Sequence, residues 1–143
     1  MTIEVKKPAP KQSDVAKPYW DGLKAGRLLI QHCAACGKPR HYPRLVCDGC
    51  YATQCKWVPA QGTGRVHSWT VCHHAFHAGF APDLPYTLLA VDLDEGVRAM
   101  GRLRRGDPSA VRIGLAVRFG TEPGVDGFAL PVFDIATVAG APR

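Results

Sequence analysis

The sequence contains no apolar run close to the ~20 residues that a membrane-spanning helix requires. Its first residues, MTIEVKKPAPKQSDVAKP, also lack the apolar stretch of a secretory signal. We therefore expect a cytoplasmic protein without membrane association. In that compartment the six cysteines are reduced, which favours metal binding over disulfides.

Motifs of independent catalysis are also missing from the sequence. There is no nucleophile elbow, no glycine loop that cradles phosphate and no metal motif with an open coordination position. The dense alternation of basic and aromatic residues that is typical of strong nucleic-acid binders is missing as well. The formal net charge of +6 still admits nucleic acid, an acidic membrane surface or a phosphate-rich small molecule such as coenzyme A. The charge alone decides nothing, and the missing motifs make an independent enzyme the least favoured class.

Four cysteines form the most informative pattern that is present. They are arranged as two C-x2-C pairs with ten residues between the pairs: Cys33, Cys36, Cys47 and Cys50. Each pair predicts a knuckle that directs two thiolates at one point, and two knuckles complete the tetrahedral S4 shell of a structural Zn²⁺ site. Iron is the alternative ion for four thiolates, but zinc is the usual one in so short a loop. We predict a zinc ribbon.

The remaining pattern divides the chain into five parts. We predict a mobile tail at 1–16, a short helix at 17–26, the zinc ribbon at 27–60, an all-β domain at 61–136 and a second tail at 137–143. Tyr19, Trp20 and Leu23 share one face of the helix. That face either docks on the body of the protein or binds a partner subunit.

The all-β domain contains five predicted strands, which are 65–72, 86–93, 97–103, 115–121 and 128–135. Asp94, Glu95 and Gly96 have the sequence of a hairpin turn, so solvation explains the acidic cluster with Asp92 better than a carboxylate site does. Five short strands within about seventy residues must close on themselves or leave long edges exposed. The best fit is a small Greek-key barrel of the OB-fold type.

The order of helix, two-knuckle ribbon and five-stranded barrel resembles the DUF35 proteins, which are OB-fold proteins with a rubredoxin-like zinc ribbon. The resemblance covers most of residues 17–135. The matching segments are PYWDGL, GRLLIQ and both cysteine pairs, followed by GRV, SWTV, FAPDLPY, DLDEG, IG and LPVF. The cysteine spacing is common to many zinc ribbons, whereas the combined order is far more specific.

The resemblance implies a non-catalytic accessory subunit of an acyl-CoA-processing complex. In this family such subunits form hetero-oligomers with thiolase-like enzymes, which include thiolases, lipid-transfer-protein-type aldolases, HMG-CoA synthase and acyltransferases. Some work beside MaoC-type hydratases. A coenzyme A thioester is then the implied ligand, with the chemistry in the partner chain.

The loop at 73–86 is the best candidate for contact with a ligand or partner, because OB-folds use such connections as binding surfaces. His73, His77, Phe80 and Tyr86 are the residues that we assign to this surface, although simple loop packing explains each of them equally well. Catalysis or a second metal site is disfavoured here, because neighbouring strand residues point to opposite faces and the nearest carboxylate is Asp83.

Two further alternatives stay open. Cys55 could replace Cys50 as a ligand, but the knuckle spacing favours Cys50, so Cys55 and Cys72 are interpreted as structural thiols. Arginines on the barrel strands could instead follow a nucleic-acid backbone, which makes a single-stranded nucleic-acid-binding module the rival function. These arginines are Arg98, Arg102, Arg104, Arg105, Arg112 and Arg118.

Overall fold

The computed structural model describes residues 3–136, and the predicted C-terminal tail at 137–143 lies outside them. Residues 3–13 have neither helix nor strand, and they lead into a 3₁₀ turn at Asp14–Ala16. Part of this predicted tail lies against the barrel, where Lys7 contacts Asp83 and Phe80. No helix among residues 3–136 is long and apolar enough to cross a membrane.

The α-helix, α1, spans Lys17–Lys24 and has Pro18 in its first turn, where the missing N–H does no harm. It ends before Gly26, whose φ of 76° suits a residue without a side chain. Tyr19 and Leu23 are buried in the core. The apolar face of α1 therefore docks on the body of the protein.

The ribbon is a three-stranded antiparallel sheet in the order β2-β1-β3. Its strands are β1 at Leu29–Cys33, β2 at Pro39–Arg40 and β3 at Cys55–Pro59. Cys33 pairs with Cys55 at one end of the β1–β3 ladder, and Leu29 pairs with Pro59 at the other. The central strand thus delivers Cys33 directly into the first knuckle.

The five remaining strands close into a barrel in the order β4-β5-β6-β8-β7. They are β4 at Thr63–Cys72, β5 at Tyr86–Leu93, β6 at Arg98–Arg105, β7 at Ala116–Pro123 and β8 at Ala129–Ile135. All neighbours pair antiparallel except β6 and β8, which are parallel. The predicted OB-fold barrel is confirmed.

One hydrophobic core joins all three parts of the fold. The helix supplies Tyr19 and Leu23, the ribbon supplies Leu28 and Ile30, and the barrel supplies the rest. The most deeply buried barrel side chains are Val66, Leu89, Val91, Val117, Val132 and Phe133. Because burial of apolar surface is the main stabilising term in folding, helix, ribbon and barrel stabilise one another.

Candidate functional site

The four cysteines of the two knuckles converge as the spacing predicts. Their sulfur atoms all lie within 4.8 Å of one another. Cys33 Sγ is 3.5 Å from Cys50 Sγ, and Cys36 Sγ is 3.7 Å from Cys47 Sγ. Four thiolates around one zinc ion at about 2.3 Å would be about 3.8 Å apart, so these two separations are close to those of a tetrahedral zinc site.

The backbone of each knuckle folds in the same way. Gly37 N–H donates to the Cys33 carbonyl at 2.9 Å, and Tyr51 N–H donates to the Cys47 carbonyl at 3.0 Å. Both residues have a positive φ, 77° for Gly37 and 64° for Tyr51. Glycine adopts this conformation without strain, and tyrosine does so less readily. The sequence therefore shows the turn of the first knuckle more clearly than that of the second.

Backbone N–H groups in the knuckles stabilise the thiolate, the form that binds metal, at Cys33 and Cys47. Those of Cys36 and Ala35 lower the pKa of the Cys33 thiol to about 6, and those of Cys50 and Gly49 lower the pKa of Cys47. The neighbouring sulfur atoms instead raise the pKa of Cys50 to about 11. Zinc binding releases a proton from each protonated thiol, so a lowered pKa favours binding at neutral pH.

Cys55 and Cys72 lie outside the four-sulfur cluster. Cys55 is half-buried on β3, and its sulfur accepts a hydrogen bond from Gln31 Nε2 at 3.5 Å. Cys72 pairs with Tyr86 at the end of the β4–β5 ladder. Among residues 3–136, the cluster of Cys33, Cys36, Cys47 and Cys50 is the only group of three or more potential ligands that converges on one point.

A buried polar network, which the sequence analysis missed, holds the segment that leads to the second knuckle. Gln31 and Arg40 are only 1% and 4% exposed. Gln31 Oε1 accepts hydrogen bonds from Arg40 Nε at 3.1 Å and from Arg44 N at 2.8 Å. Gln31 Nε2 and Arg40 Nη2 both donate to the Arg44 carbonyl at 3.1 Å. The network fixes residues 40–44 against the central strand.

An aromatic cluster joins the ribbon to the helix and the barrel. The His41 ring lies 5.3 Å from the Tyr19 ring and 4.0 Å from the Tyr42 ring, measured between centroids. Tyr42 Oη accepts a hydrogen bond from the Met100 N–H on β6 at 2.9 Å. Burial lowers the pKa of His41 to about 4, so this imidazole is neutral at physiological pH.

The four residues predicted to contact a ligand separate into two groups. Phe80 and Tyr86 have ring centroids 6.3 Å apart and line one cavity. His77 instead uses Nδ1 to accept a hydrogen bond from Gly79 N–H at 3.0 Å, which caps the 3₁₀ helix Ala78–Asp83. His73 is exposed and does not line the cavity. The His77 ring nevertheless lies beside Phe80, with centroids 6.3 Å apart, so among the four residues only His73 stands apart from the aromatic rings.

The cavity has a volume of about 700 Å³ and lies on the outer face of β5 and β6. Loops 73–85 and 124–128 border this face, and it corresponds to the surface that OB-folds use for binding. The N-terminal residues 7–10 cover it, a contact that sequence pattern did not reveal. Its lining is largely apolar and includes Leu88, Met100, Val125, Leu130 and Pro131, with Lys7, Arg102 and Glu122 as charged members.

The acidic cluster near β5 has structural partners. Asp92 accepts hydrogen bonds from Arg98 Nε at 2.7 Å, and it lies 3.1 Å from His67 Nδ1. Asp94 accepts from Thr63 Oγ1, and Glu95 accepts from the Gln61 N–H. The carboxylates diverge, which agrees with the interpretation of this segment as a hairpin turn.

The fold and the four-sulfur cluster define the chain as a zinc ribbon joined to an OB-fold barrel, and comparison with known proteins gives its family. Residues 20–56 match the domain family described as "ChsH2, rubredoxin-like zinc ribbon domain". Residues 57–122 match "ChsH2, C-terminal OB-fold domain". A "DUF35 domain-containing scaffold protein" from Methanocaldococcus jannaschii is 31% identical over 100 residues, which cover 68% of this chain and 70% of that protein. The chain belongs to the DUF35 family.

A solved structure named "Ltp2-ChsH2(DUF35) aldolase" is similar with a TM-score of 0.82 and 34% identity, over 90% of this chain and 100% of that chain. A "Probable enoyl-CoA hydratase alpha subunit" from Thermomonospora curvata is 36% identical over 80% of this chain. A "3-oxo-4,17-pregnadiene-20-carboxyl-CoA hydratase alpha subunit" from Mycobacterium tuberculosis is 38% identical over 76% of it. The chain spans about a third of the length of these two hydratase subunits, 35% and 34%.

Proposed function

We propose that the chain is a non-catalytic accessory subunit of an acyl-CoA-processing complex, in which the partner chain carries out the chemistry. One observation carries the proposal: the likeness to the chain of the "Ltp2-ChsH2(DUF35) aldolase", which extends over that entire chain at 34% identity. The names of the hydratase alpha subunits and of the scaffold protein support the same class of function. A thiolase-like aldolase is the favoured partner, and a hydratase is the second.

We assign the four-cysteine cluster to a structural Zn²⁺ ion. The ion would supply a cross-link between the two knuckles and contribute folding free energy to a ribbon that has little core of its own. Four thiolates fill a tetrahedral shell and leave no position for water or substrate. The cluster therefore supports assembly and not hydrolysis, and the reduced thiols that it needs fit a cytoplasmic protein.

The arrangement of the other polar residues also supports a non-catalytic role. His77 is engaged in capping a 3₁₀ helix, His73 is exposed, and Cys72 pairs with Tyr86.

Contact between the loop at 73–86 and an acyl-CoA stays a prediction. The apolar lining of the cavity beside Phe80 and Tyr86 favours an acyl chain. Alanine at Phe80 or Tyr86 should lower the affinity of the assembled complex for its thioester, with His73→Ala as the matched control. Unchanged affinity in all three variants would remove the prediction.

The rival nucleic-acid function loses support from the charges on the barrel. Three of the six arginines that form the basic row are already bound to carboxylates: Arg98 to Asp92, Arg102 to Asp83 and Arg104 to Asp134. These ion pairs reduce the positive potential that a phosphate backbone would need. Single-stranded oligonucleotide should show no binding at low salt, whereas tight binding with a steep salt dependence would favour the rival.

Co-expression with a thiolase-like aldolase or a hydratase encoded in the same genome tests the proposal. We expect a stable hetero-oligomer by size exclusion and native mass spectrometry, with activity that needs both chains. Cys36→Ser should lose zinc and the complex together, whereas Cys55→Ser should keep both. A Cys36→Ser variant that retains zinc and partner would contradict the ligand assignment.

A further inference from the structure

The chain's own N-terminal residues cover the binding face of the barrel. We call residues 6–10 the N-terminal strap, and the outer face of β5 and β6 with loops 73–85 and 124–128 the strap face. Lys7, Ala9 and Pro10 are partly buried, whereas Lys6 and Pro8 are exposed. The strap has neither helix nor strand structure. The strap thus lies where an OB-fold ligand would lie.

A glycine allows the strap to approach the barrel loop closely. Gly79 is buried, and a Cβ built on it would lie 2.9 Å from both Cα and N of Lys7. Real Cβ contacts are not this short, so any other residue at Gly79 would push the strap away. The backbone contact indicates that loop and strap are matched in shape.

Two ion pairs attach the strap to two different loops. Lys6 binds Asp126 in the loop between β7 and β8. Lys7 binds Asp83 in the loop between β4 and β5, with Nζ 2.6 Å from Oδ2. The Lys7 ammonium also lies 5.6 Å from the centre of the Phe80 ring, within the range of a cation–π interaction. The strap therefore bridges both loops of the face.

Each strap lysine meets a carboxylate of the strap face. Asp126 binds Lys6, and Asp83 binds Lys7 as well as Arg102 on β6. A basic segment is therefore complementary in charge to the two loops that it bridges. Pro8, Ala9 and Pro10 border the apolar cavity. An extended segment with prolines needs little further ordering when it binds.

We propose that the strap face is a docking site for an extended, basic, proline-containing peptide, and that residues 6–10 occupy it as an intramolecular ligand. Side chains hold the strap, since no backbone hydrogen bond joins residues 3–10 to the barrel in the described chain. The strap can therefore leave without disturbing a strand ladder. While it is bound, it prevents a second peptide from taking the same position. This inference does not depend on the proposed accessory role.

A peptide added in trans tests the inference. The truncated chain lacks residues 1–10, and the probe is a fluorescein-labelled peptide of residues 3–12, IEVKKPAPKQ. None of residues 3–10 belongs to the hydrophobic core, so the truncated chain should keep its zinc and its circular dichroism spectrum. A short tether gives an effective concentration on the order of 1 mM, so occupancy in cis requires a Kd in trans below about 1 mM. We expect saturable binding in that range, weakened by added salt.

The intact chain provides the comparison. Its own strap should compete and weaken apparent peptide binding about tenfold if the Kd in trans is on the order of 0.1 mM. Full-length protein with Lys6→Glu and Lys7→Glu should regain binding of the wild-type peptide, whereas Lys11→Glu, a charge reversal just outside the strap, should not. If the truncated chain fails to fold, the full-length protein with Lys6→Glu and Lys7→Glu tests the inference in its place.

Gly79→Val in the truncated chain should abolish peptide binding, because the side chain would occupy the position of the Lys7 backbone. No saturable binding to a folded truncated chain would overturn the inference. Equal affinity for the intact and truncated chains would also overturn it, since the peptide would then bind elsewhere.

Discussion

The hydrogen bonds of Gln31 give the sharpest stability prediction. Gln31→Leu keeps most of the side-chain volume but removes the acceptor for Arg40 Nε and Arg44 N, as well as the donor to the Arg44 carbonyl. The guanidinium of Arg40 is 4% exposed, and its Nη1 already lacks a partner among residues 3–136. The substitution would leave this buried cation with one fewer hydrogen bond.

The expected loss follows from the three hydrogen bonds to Arg40 and Arg44, since the longer bond to Cys55 Sγ is weak. Two neutral hydrogen bonds contribute about 1 kcal/mol each, and the bond to the charged guanidinium contributes about 2 kcal/mol. Burial of the leucine side chain offsets about 1 kcal/mol, so Gln31→Leu should lower the free energy of unfolding by about 2–4 kcal/mol. Since helix, ribbon and barrel share one core, the loss should appear in a single cooperative transition.

Urea denaturation measures this change. Zinc is kept at a fixed excess, because bound metal adds to the apparent stability. Gln54→Leu is the matched control. Gln54 is exposed in the segment before β3, so the same substitution there should change stability by less than about 0.5 kcal/mol. A Gln31→Leu variant within about 1 kcal/mol of the wild type would refute the reasoning, since such a loss is smaller than one charged hydrogen bond.

Three further predictions follow from the site. Cys47→Ser should reduce bound zinc from one ion per chain to near zero in elemental analysis, whereas Cys72→Ser should retain it; full zinc in Cys47→Ser would contradict the ligand set. Burial lowers the pKa of His41 to about 4, so the unfolded chain takes up its proton first and stability should fall as the pH decreases from about 6.5 towards 4. His41→Gln should flatten that part of the curve, and identical curves for both proteins would show that His41 does not cause the loss. Tyr42→Phe should cost about 0.5–1.5 kcal/mol, because Met100 N–H loses its acceptor, and an unchanged urea midpoint would contradict a role for Tyr42 in joining ribbon to barrel.

Local pattern was sufficient to predict the fold. The strand Tyr86–Leu93 was predicted with its observed bounds, and the cysteine spacing predicted the convergence of four sulfur atoms. Both features depend on residues that are close in sequence or on a metal geometry with one common solution. The barrel followed because five short strands need closure to avoid exposed edges.

The rest of the site depends on contacts between distant residues, which sequence pattern does not encode. In the sequence, Gln31 and Arg40 cannot be distinguished from exposed polar residues. The pairing of β1 with β2 is what buries them together. The strap was interpreted as a mobile tail from its lysines and prolines, yet Lys7 binds Asp83, more than seventy residues further along the chain. The one local signal was Gly79, a glycine in a loop where no turn required it.

Co-purification of the tagged protein from its native cells tests the central claim most directly, with bound chains identified by mass spectrometry. Cys36→Ser serves as the negative control. The account predicts that the wild type, and not the variant, retains a thiolase-like aldolase or a hydratase subunit in a fixed ratio. Recovery of nucleic acid with no such enzyme would contradict the account and favour the rival nucleic-acid-binding function.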